Sequence, residues 1–149
     1  MNNYIIEKMS FNDIDEVIKI QQELNINITS KNSLINDLSD SHYCYFILKA
    51  KDNKIIGYAG ISTIIDSMDI LSIVIAKDFQ RLGIGSILLE YLINYARENF
   101  KVTILLEVRK TNIPAQKLYG KYGFEMISTR KRYYSDNNED ALIYMLKID

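Results

Sequence analysis

The sequence predicts an α/β protein with a mixed, mostly antiparallel central sheet flanked by helices. Three observations lead to this fold class. Apolar runs bounded by turn residues predict strands in the middle and at the end of the chain. Two short helical patterns precede the central strands, and two further helical patterns alternate with the later ones. The predicted order of elements is β-α-α-β-β-β-α-β-α-β-β.

The first half of the chain is predicted to form one strand, two helices and three strands. The first strand covers Tyr4–Lys8, and the helices begin after Ser10 and Ser30, which are typical cap residues. Turns are predicted at Lys51-Asp52-Asn53 and at Asp66-Ser67, because such polar residues favour tight connections. The three strands that these turns separate are predicted at Tyr43–Ala50, Lys54–Ile64 and Met68–Ile75.

The second half begins with a long amphipathic helix that starts at Gly83, since apolar residues then recur at helical spacing. A buried strand is predicted at Thr103–Val108. Asn112 is expected to cap a helix that runs to Tyr122 and stops at Gly123. The last two strands are predicted at Phe124–Tyr134 and Ala141–Lys147.

Composition narrows the function classes. The 149 residues suit one domain, 1–149, and 48% are apolar and 25% charged, as in ordinary globular proteins. A net charge of −1 gives no field that favours nucleic acid. One Cys excludes an internal disulfide, and one His and one Cys cannot build a zinc site. We find no secretion signal and no apolar run of the ~20 residues that span a membrane. We therefore expect a cytoplasmic protein without a metal.

The segment Gln80-Arg-Leu-Gly-Ile-Gly85 is the strongest local motif. It lies between a predicted strand and a long helix, where backbone N–H groups and the positive end of the helix dipole favour a phosphate. Glycines permit close backbone approach, and Arg81 adds a positive charge. A tight turn without a ligand explains the glycines equally well. Two other phosphate loops are excluded, because Leu88 replaces a dinucleotide glycine and Ser86 replaces the lysine of a nucleoside-triphosphate loop.

This segment resembles the coenzyme A loop of the GCN5-related N-acetyltransferases, the GNAT family, and the order of elements matches that fold along the whole chain. The resemblance implies a GNAT fold and acetyl-CoA as cosubstrate. It also implies that the loop and the strand before it hold the coenzyme. The residues so implied are Ile73, Val74, Ile75, Gln80, Arg81, Leu82, Gly83, Ile84, Gly85 and Ser86, together with Asn112.

The second half resembles the RimI-type ribosomal-protein-alanine N-acetyltransferases within that family. The similarity runs through Leu106-Glu-Val-Arg109, Leu118-Tyr119 and Gly123-Phe124 to the C-terminal segment. It implies that the acceptor is the N-terminal alanine of a small-subunit ribosomal protein. The acceptor-side residues so implied are Arg130, Tyr133, Tyr134, Glu139 and Asp140. The chain departs from the family at Ile26–Ser30, where relatives usually carry an F-P-W-S-like segment.

Acetyl transfer requires a neutral amine and a proton for the departing thiolate. An α-amino group of pKa ~7.8 is roughly 14% neutral at pH 7, so an N-terminal acceptor needs little help from a base. Glu107, near the end of an apolar strand, is the candidate base, and partial burial would raise its pKa. Position alone is equally typical of a solvated Glu or one paired with Arg109. The resemblance assigns Glu107 the role of base.

Tyr119 is the candidate general acid. A phenol of pKa ~10 lies only slightly above a thiol of pKa ~8.5, so the proton transfer is a little uphill. Position alone is also typical of an aromatic core residue, and the chain has 11 Tyr. The resemblance assigns Tyr119 the acid role.

Three hypotheses of function follow. The first is an N-terminal alanine acetyltransferase acting on a ribosomal protein, without direct nucleic-acid or membrane binding. The unusual segment at Ile26–Ser30 leaves open an acetyltransferase of small-molecule amines, such as polyamines, amino acids or antibiotics. The third hypothesis is a non-catalytic acyl-CoA-binding regulator, against which the presence of both Glu107 and Tyr119 argues.

Overall fold

A computed structural model of the chain describes residues 3–149. Residues 1 and 2, the start of the segment in which we looked for a secretion signal, lie outside the described residues. The helices and strands occur in the predicted order. Their bounds are β1 Ile5–Lys8, α1 Ile14–Glu23, α2 Lys31–Leu38, β2 Tyr43–Lys49, β3 Ile55–Ile64, β4 Ser67–Ile75, α3 Ile84–Glu98, β5 Thr103–Arg109, α4 Ile113–Lys121, β6 Glu125–Tyr134 and β7 Glu139–Lys147. Short 3-10 turns at Phe11–Asp13 and Lys77–Phe79 precede α1 and α3.

The predicted helix caps at Ser30 and Asn112 are confirmed, whereas Ser10 precedes the 3-10 turn Phe11–Asp13 and Asp13 is the N-cap residue of α1. The backbone N–H of Ser33 donates to Oγ of Ser30 at 3.0 Å, and the backbone N–H of Ala115 donates to Oδ1 of Asn112 at 3.2 Å. Gly123 follows α4 with a φ of 92°, a left-handed conformation that glycine adopts without strain. Each side-chain cap stabilises its helix by about 1 kcal/mol, because it satisfies an N–H group that has no partner within the helix.

Seven of the fourteen predicted strand ends differ from the observed ones, six by one residue and the start of the last strand by two. The turn after β3 is Ile65-Asp66 rather than Asp66-Ser67, and Ser67 already pairs with Thr103 of β5. The last strand begins at Glu139 rather than at Ala141, because Glu139 pairs with Tyr134 across the β6–β7 turn. Ser67 and Glu139 are both polar, and polar residues are typical of turns. The sequence pattern therefore did not indicate that they pair with neighbouring strands.

The strands form one seven-stranded sheet in the order β1-β2-β3-β4-β5-β7-β6. β4 and β5 run parallel, while β1–β2, β2–β3, β5–β7 and β6–β7 are antiparallel. The predicted mixed and mostly antiparallel sheet is therefore confirmed. The β6–β7 ladder has two irregularities, one between Met126 and Ser128 and one between Arg130 and Tyr134.

The chain forms two compact units, of which the first comprises the residues up to Thr63 and Leu71–Leu92. Apolar side chains of α1, α2, β2 and β3 are buried together in its core, with Val17, Leu34 and Tyr58 fully buried. Gly60 is required here, since a Cβ at this position would lie 2.4 Å from the ring of Tyr45. The first unit carries the Gln80–Gly85 segment and the beginning of α3.

The second unit comprises Ile64–Ile70 and Ile93–Asp149. Its buried apolar residues include alternate residues of β5, Phe124, and Ala141 and Leu142 near the start of β7. Ile104, Leu106 and Val108 point into this core, and the intervening residues of β5 lie on the opposite face of the strand. This alternation decides where Glu107 lies.

Candidate active site

The Gln80–Gly85 segment leads directly into α3. Gln80, Arg81, Leu82 and Gly83 are exposed, and the backbone N–H of Ile87 donates to the carbonyl of Gly83 at 3.3 Å as the helix begins. The N–H groups of the first turn of α3 therefore have no carbonyl partner within the helix. They add to the positive end of the dipole of a 15-residue helix, an arrangement that suits an anionic ligand.

The two glycines of this segment have different roles. Gly83 has a φ of 81°, and a Cβ there would meet no atom within 4 Å, so its backbone conformation is what calls for glycine. Gly85 was predicted to lie in the loop, but it belongs to the first turn of α3. Arg81 also has a left-handed φ of 62°, so the turn takes two positive-φ residues before the helix starts.

The strand before this segment presents alternating side chains. Val74 is buried in the core of the first unit, while Ile73 and Ile75 are half-buried. The side-chain amide of Gln80 donates to the carbonyl of Ile75 at 3.1 Å and holds the segment against the strand end. Because the side chain of Val74 packs inward, only its backbone is available to a ligand.

The atypical Ile26–Ser30 segment is fastened by a buried glutamine. Nε2 of Gln21 donates to the carbonyl of Thr29 at 2.8 Å, and Oε1 of Gln21 accepts from the N–H of Thr29 at 3.2 Å. Oε1 also accepts from the hydroxyl of the fully buried Tyr58 at 2.8 Å. A cavity of about 380 Å³ lies beside this segment and is lined by residues of α1 and of the α1–α2 connection.

Glu107 of β5 lies in the second unit and is exposed, so the partial burial expected from the sequence was wrong. Its neighbours Leu106 and Val108 are buried, but the side chain of Glu107 points to the opposite face of the strand. The hydroxyl of Tyr133 donates to Oε1 of Glu107 at 3.5 Å. Arg109 is not the partner of this carboxylate, since its guanidinium binds two other acidic residues.

Tyr119 of α4 packs among aromatic rings. Its centroid lies 5.7 Å from that of Phe124 and 6.3 Å from that of Tyr144. Burial raises the pKa of the Tyr119 hydroxyl to about 12. The pKa of the Tyr119 hydroxyl therefore lies roughly 3.5 above that of a free thiol, ~8.5, so proton transfer to a thiolate is more uphill than the sequence led us to expect. A thiolate beside the same apolar rings would also have a raised pKa, which narrows that gap.

The predicted acceptor-side residues lie on β6 and on β7, on both sides of the turn between them. Tyr133 is exposed, Tyr134 is half-buried, and their rings meet edge to face at 5.2 Å. Arg130 is exposed, with its guanidinium 5.6 Å from the centroid of the Tyr133 ring. Oδ1 of Asp140 accepts from the N–H of Arg132 at 3.0 Å, where β6 takes a left-handed φ of 54°.

Glu139 was expected to contact the acceptor, but its carboxylate has partners within the protein. It accepts from the N–H of Thr111 at 2.6 Å and from the Thr111 hydroxyl, and it pairs with Arg109 at 3.2 Å. These hydrogen bonds, those of Thr111 first, lower the pKa of Glu139 to about 2. Its side chain is 9% exposed, so the structure gives Glu139 an internal role and leaves binding of the acceptor as a prediction.

Among residues 3–149, no group of three or more His, Cys, Asp or Glu side chains is arranged to hold a metal ion. No helix in the described part of the chain is long and apolar enough to cross a membrane.

Comparison with known proteins identifies the class to which this fold and these residues belong. A model of the acetyltransferase (GNAT) family matches residues 11–124. A Bacillus subtilis (strain 168) protein, named provisionally as a ribosomal protein bS18-alanine N-acetyltransferase, is 33% identical over 144 residues, which cover 97% of this chain and 95% of that protein. A Haemophilus ducreyi protein with the same name, without the provisional mark, is 32% identical over 145 residues, covering 95% of this chain and 99% of its own.

Among solved structures, the crystal structure of the Escherichia coli ribosomal-protein-alanine N-acetyltransferase matches with a TM-score of 0.90 and 29% identity, covering 98% of this chain and 94% of that one. The chain belongs to the acetyltransferase (GNAT) family. The family and the enzyme class implied by the sequence motifs are therefore confirmed.

Sequence reasoning missed three residues that organise these regions. Gln21 was not among the residues selected from the sequence, yet its side chain binds Thr29 of the Ile26–Ser30 segment. Arg109 was read as a possible partner of Glu107, but it joins β5 to the β6–β7 turn. Thr111 binds Glu139 through both its N–H and its hydroxyl. Polar residues that bind distant parts of the chain leave no periodic signal in the sequence.

Proposed function

We propose that residues 1–149 act as one catalytic domain that transfers an acetyl group from acetyl-CoA to the N-terminal alanine of a small-subunit ribosomal protein. The observation that carries this proposal is the identity of more than 30%, over at least 95% of each chain, to two relatives named for the alanine of ribosomal protein bS18. Since the acceptor is a ribosomal protein, we place the reaction in the cytoplasm.

Acetyl-CoA is proposed to bind the Gln80–Ser86 segment. The exposed backbone at Gly83 and the start of α3 favour its phosphates, with Arg81 as a flexible positive charge. The backbone of Ile73–Ile75 is proposed to hold the pantetheine arm, with the half-buried Ile73 and Ile75 as its apolar contacts. The side chain of Asn112 caps α4. We propose that it also contacts the coenzyme.

Glu107 is proposed to accept, directly or through a water molecule, the proton that the attacking amine loses. The exposure of Glu107 suits this role, because an α-amino group of pKa ~7.8 already reaches its neutral form in water and needs only a nearby acceptor. Tyr119 is proposed to donate its proton to the sulfur as the thioester bond breaks. With a pKa of about 12, the phenol stays protonated across the physiological range and always carries the proton that is required.

Tyr133 and Tyr134 are proposed to contact the acceptor peptide, with Arg130 and Asp140 beside them on β6 and β7. Tyr133 already reaches Glu107, so it links the acceptor side of the second unit to the proposed base.

The test is a thiol-release assay with acetyl-CoA and four acceptors. These are the N-terminal peptide of ribosomal protein bS18, a peptide beginning with Ala-Arg, a peptide with a blocked N terminus and an internal Lys, and spermidine. We expect turnover with the first two alone and, by mass spectrometry, the acetyl group on the α-amino nitrogen. Preference for spermidine or for an internal Lys would overturn the proposal that the acceptor is an N-terminal alanine. Binding of acetyl-CoA without any turnover would instead favour a regulator.

A further inference from the structure

Arg109, the last residue of β5, contacts three parts of the second unit with one side chain. Its Nη2 lies 2.9 Å from Oδ2 of Asp136, and its Nη1 lies 3.2 Å from Oε1 of Glu139. Its Cζ lies 3.9 Å from the centroid of the Tyr134 ring. The guanidinium therefore binds the β6–β7 turn, residues 135–138, together with the residues on both sides of that turn.

The contacts of Arg109 with Asp136, Glu139 and Tyr134 differ in how strongly they stabilise the turn. The side chain of Asp136 is 64% exposed, so its ion pair with Arg109 contributes little by itself. The side chain of Glu139 is only 9% exposed, and its carboxylate is further held by Thr111. The ring of Tyr134 adds a cation–π contact. A planar guanidinium can donate to two carboxylates while it stacks on a ring, and an ammonium cannot reproduce that geometry.

The backbone ladder pairs this part of β6 only at its two ends, Arg130 and Tyr134. The β6–β7 register is irregular between Arg130 and Tyr134, and Arg132 takes a left-handed φ of 54°. Regular ladder hydrogen bonds normally set which residues face which side of a strand. Where the ladder is interrupted, side-chain contacts help to determine the orientation. Oδ1 of Asp140 binds the N–H of Arg132 within the interruption, and the contacts of Arg109 with Tyr134 and Glu139 lie at its end and across the turn.

The effect extends to Tyr133. Its ring packs edge to face on Tyr134 at 5.2 Å, and its hydroxyl reaches Glu107 at 3.5 Å. A series of contacts therefore runs from Arg109 through Tyr134 and Tyr133 to Glu107. Each member belongs to the second unit.

We propose that Arg109 is a positioning residue for the acceptor: it holds the β6–β7 turn and thereby sets the orientation of Tyr133 and Tyr134. The inference rests on the proposed function in one respect, namely that these tyrosines contact the acceptor. Arg109 itself touches neither substrate. Its loss is therefore expected to weaken use of the acceptor and to leave use of the coenzyme unchanged.

The experiment compares Arg109→Gln and Arg109→Lys with wild type in steady-state kinetics, and Arg97→Gln is the control. Arg97 is an exposed arginine of α3 whose guanidinium donates to Asn94 at 2.9 Å. We expect Arg109→Gln to raise KM for the acceptor about tenfold while KM for acetyl-CoA and kcat stay within about twofold. Arg109→Lys should give an intermediate KM for the acceptor, because lysine keeps the positive charge but lacks the planar guanidinium that donates to two carboxylates at once. Arg97→Gln should match wild type.

The acceptor in this assay is the one that wild type uses best in the four-acceptor panel, so a different acceptor identity changes the proposed function and leaves this test valid. Hydrogen exchange gives a readout independent of activity: amides of residues 134–139 should exchange faster in Arg109→Gln. An unchanged acceptor KM, or a parallel rise in both KM values, would overturn the proposal, as would unchanged exchange at the turn.

A double variant guards against a simple folding defect. In Arg109→Gln, the nearly buried Glu139 loses its cation, which lowers stability. Arg109→Gln combined with Glu139→Gln removes that unpaired carboxylate and is expected to recover part of the lost Tm. If Arg109 positions the turn, the acceptor KM of the double variant stays high. Recovery of KM together with Tm would show a merely structural role.

Discussion

The hydroxyl of Tyr133 lies 3.5 Å from Oε1 of Glu107, and this contact joins a strand of the sheet interior to its edge strand. Glu107 is exposed and Tyr133 is 46% exposed, so both groups are accessible to an acceptor from solvent. The carboxylate keeps capacity for a further donor, since an ionised carboxylate offers about four lone-pair sites.

Glu107→Gln is expected to lower kcat/KM for an N-terminal acceptor by about 10²-fold at neutral pH, the lower end for a lost proton acceptor. The defect should shrink as pH rises above the α-amino pKa of ~7.8, because the amine is then already neutral. The measurement is kcat/KM against pH for both proteins. Glu125→Gln, an exposed glutamate of β6, is the control and should follow the wild-type profile. A defect that is constant across this pH range would contradict the role of base.

Tyr119→Phe is expected to lower kcat by about 10²–10⁴-fold with little change in coenzyme affinity, because the ring packing remains and only the proton donor is lost. Tyr144→Phe, which keeps the ring that packs on Tyr119, is the matched control. Since the pKa of Tyr119 is about 12, wild-type kcat should not fall from ionisation of this group below about pH 10. An unaffected kcat in Tyr119→Phe would remove it from the acid role.

The same pKa predicts the direction of a stability change. The folded protein holds the Tyr119 proton more tightly than the unfolded chain, whose tyrosine pKa is ~10. The stability that this difference provides is complete below about pH 10 and is lost as pH rises through the folded pKa of about 12. Urea unfolding at rising alkaline pH should show a smaller decline in Tyr119→Phe than in wild type.

Gly83→Val is expected to weaken acetyl-CoA binding by about tenfold or more, because a β-branched residue disfavours the φ of 81° from which α3 starts. Calorimetric titration with coenzyme A measures the change. Gly120→Ala is the control: Gly120 lies in α4 in open space, so alanine there should raise stability by about 0.5–1 kcal/mol and leave the affinity unchanged. Unchanged affinity in Gly83→Val would count against the phosphate-binding loop.

Gln21→Ala is expected to reduce the free energy of unfolding by about 2–4 kcal/mol, because it leaves the buried Tyr58 hydroxyl and both backbone groups of Thr29 without their partner. Tyr58→Phe removes only one of these hydrogen bonds and should cost about 1 kcal/mol. Urea unfolding measures both. A larger loss in Tyr58→Phe than in Gln21→Ala would mean that Gln21 does not fasten the segment.

Much of the fold could be predicted because its signals are local. The spacing of apolar residues, the caps at Ser30 and Asn112 and the left-handed stop at Gly123 depend on neighbours within a few residues. The family also followed from short motifs, since the Gln80–Gly85 segment and the Leu106–Arg109 run keep their spacing. The boundaries at Ser67 and Glu139 could not be predicted, because pairing across the sheet decided them.

The environment of the site residues was the least predictable part. Glu107 was expected to be partly buried because its neighbours are apolar, but strand alternation exposes it. The acid strength of Tyr119 was expected to be that of a free phenol, but burial raises the pKa of its hydroxyl to about 12. The type of a residue indicates whether its side chain can titrate. The packing around that side chain determines how far its pKa departs from the ordinary value.

By itself, the sequence determined the order of elements, the α/β class and the acetyltransferase family, and it supplied the residues to which we propose to assign the chemistry. These depend on residue types and spacings, which the chain displays before it folds. The tertiary structure alone decided that Glu139 binds Arg109 and Thr111, and that Gln21 fastens Thr29. Such contacts join residues 8 to 30 positions apart, so they exist only once the packed elements bring their side chains within hydrogen-bond distance.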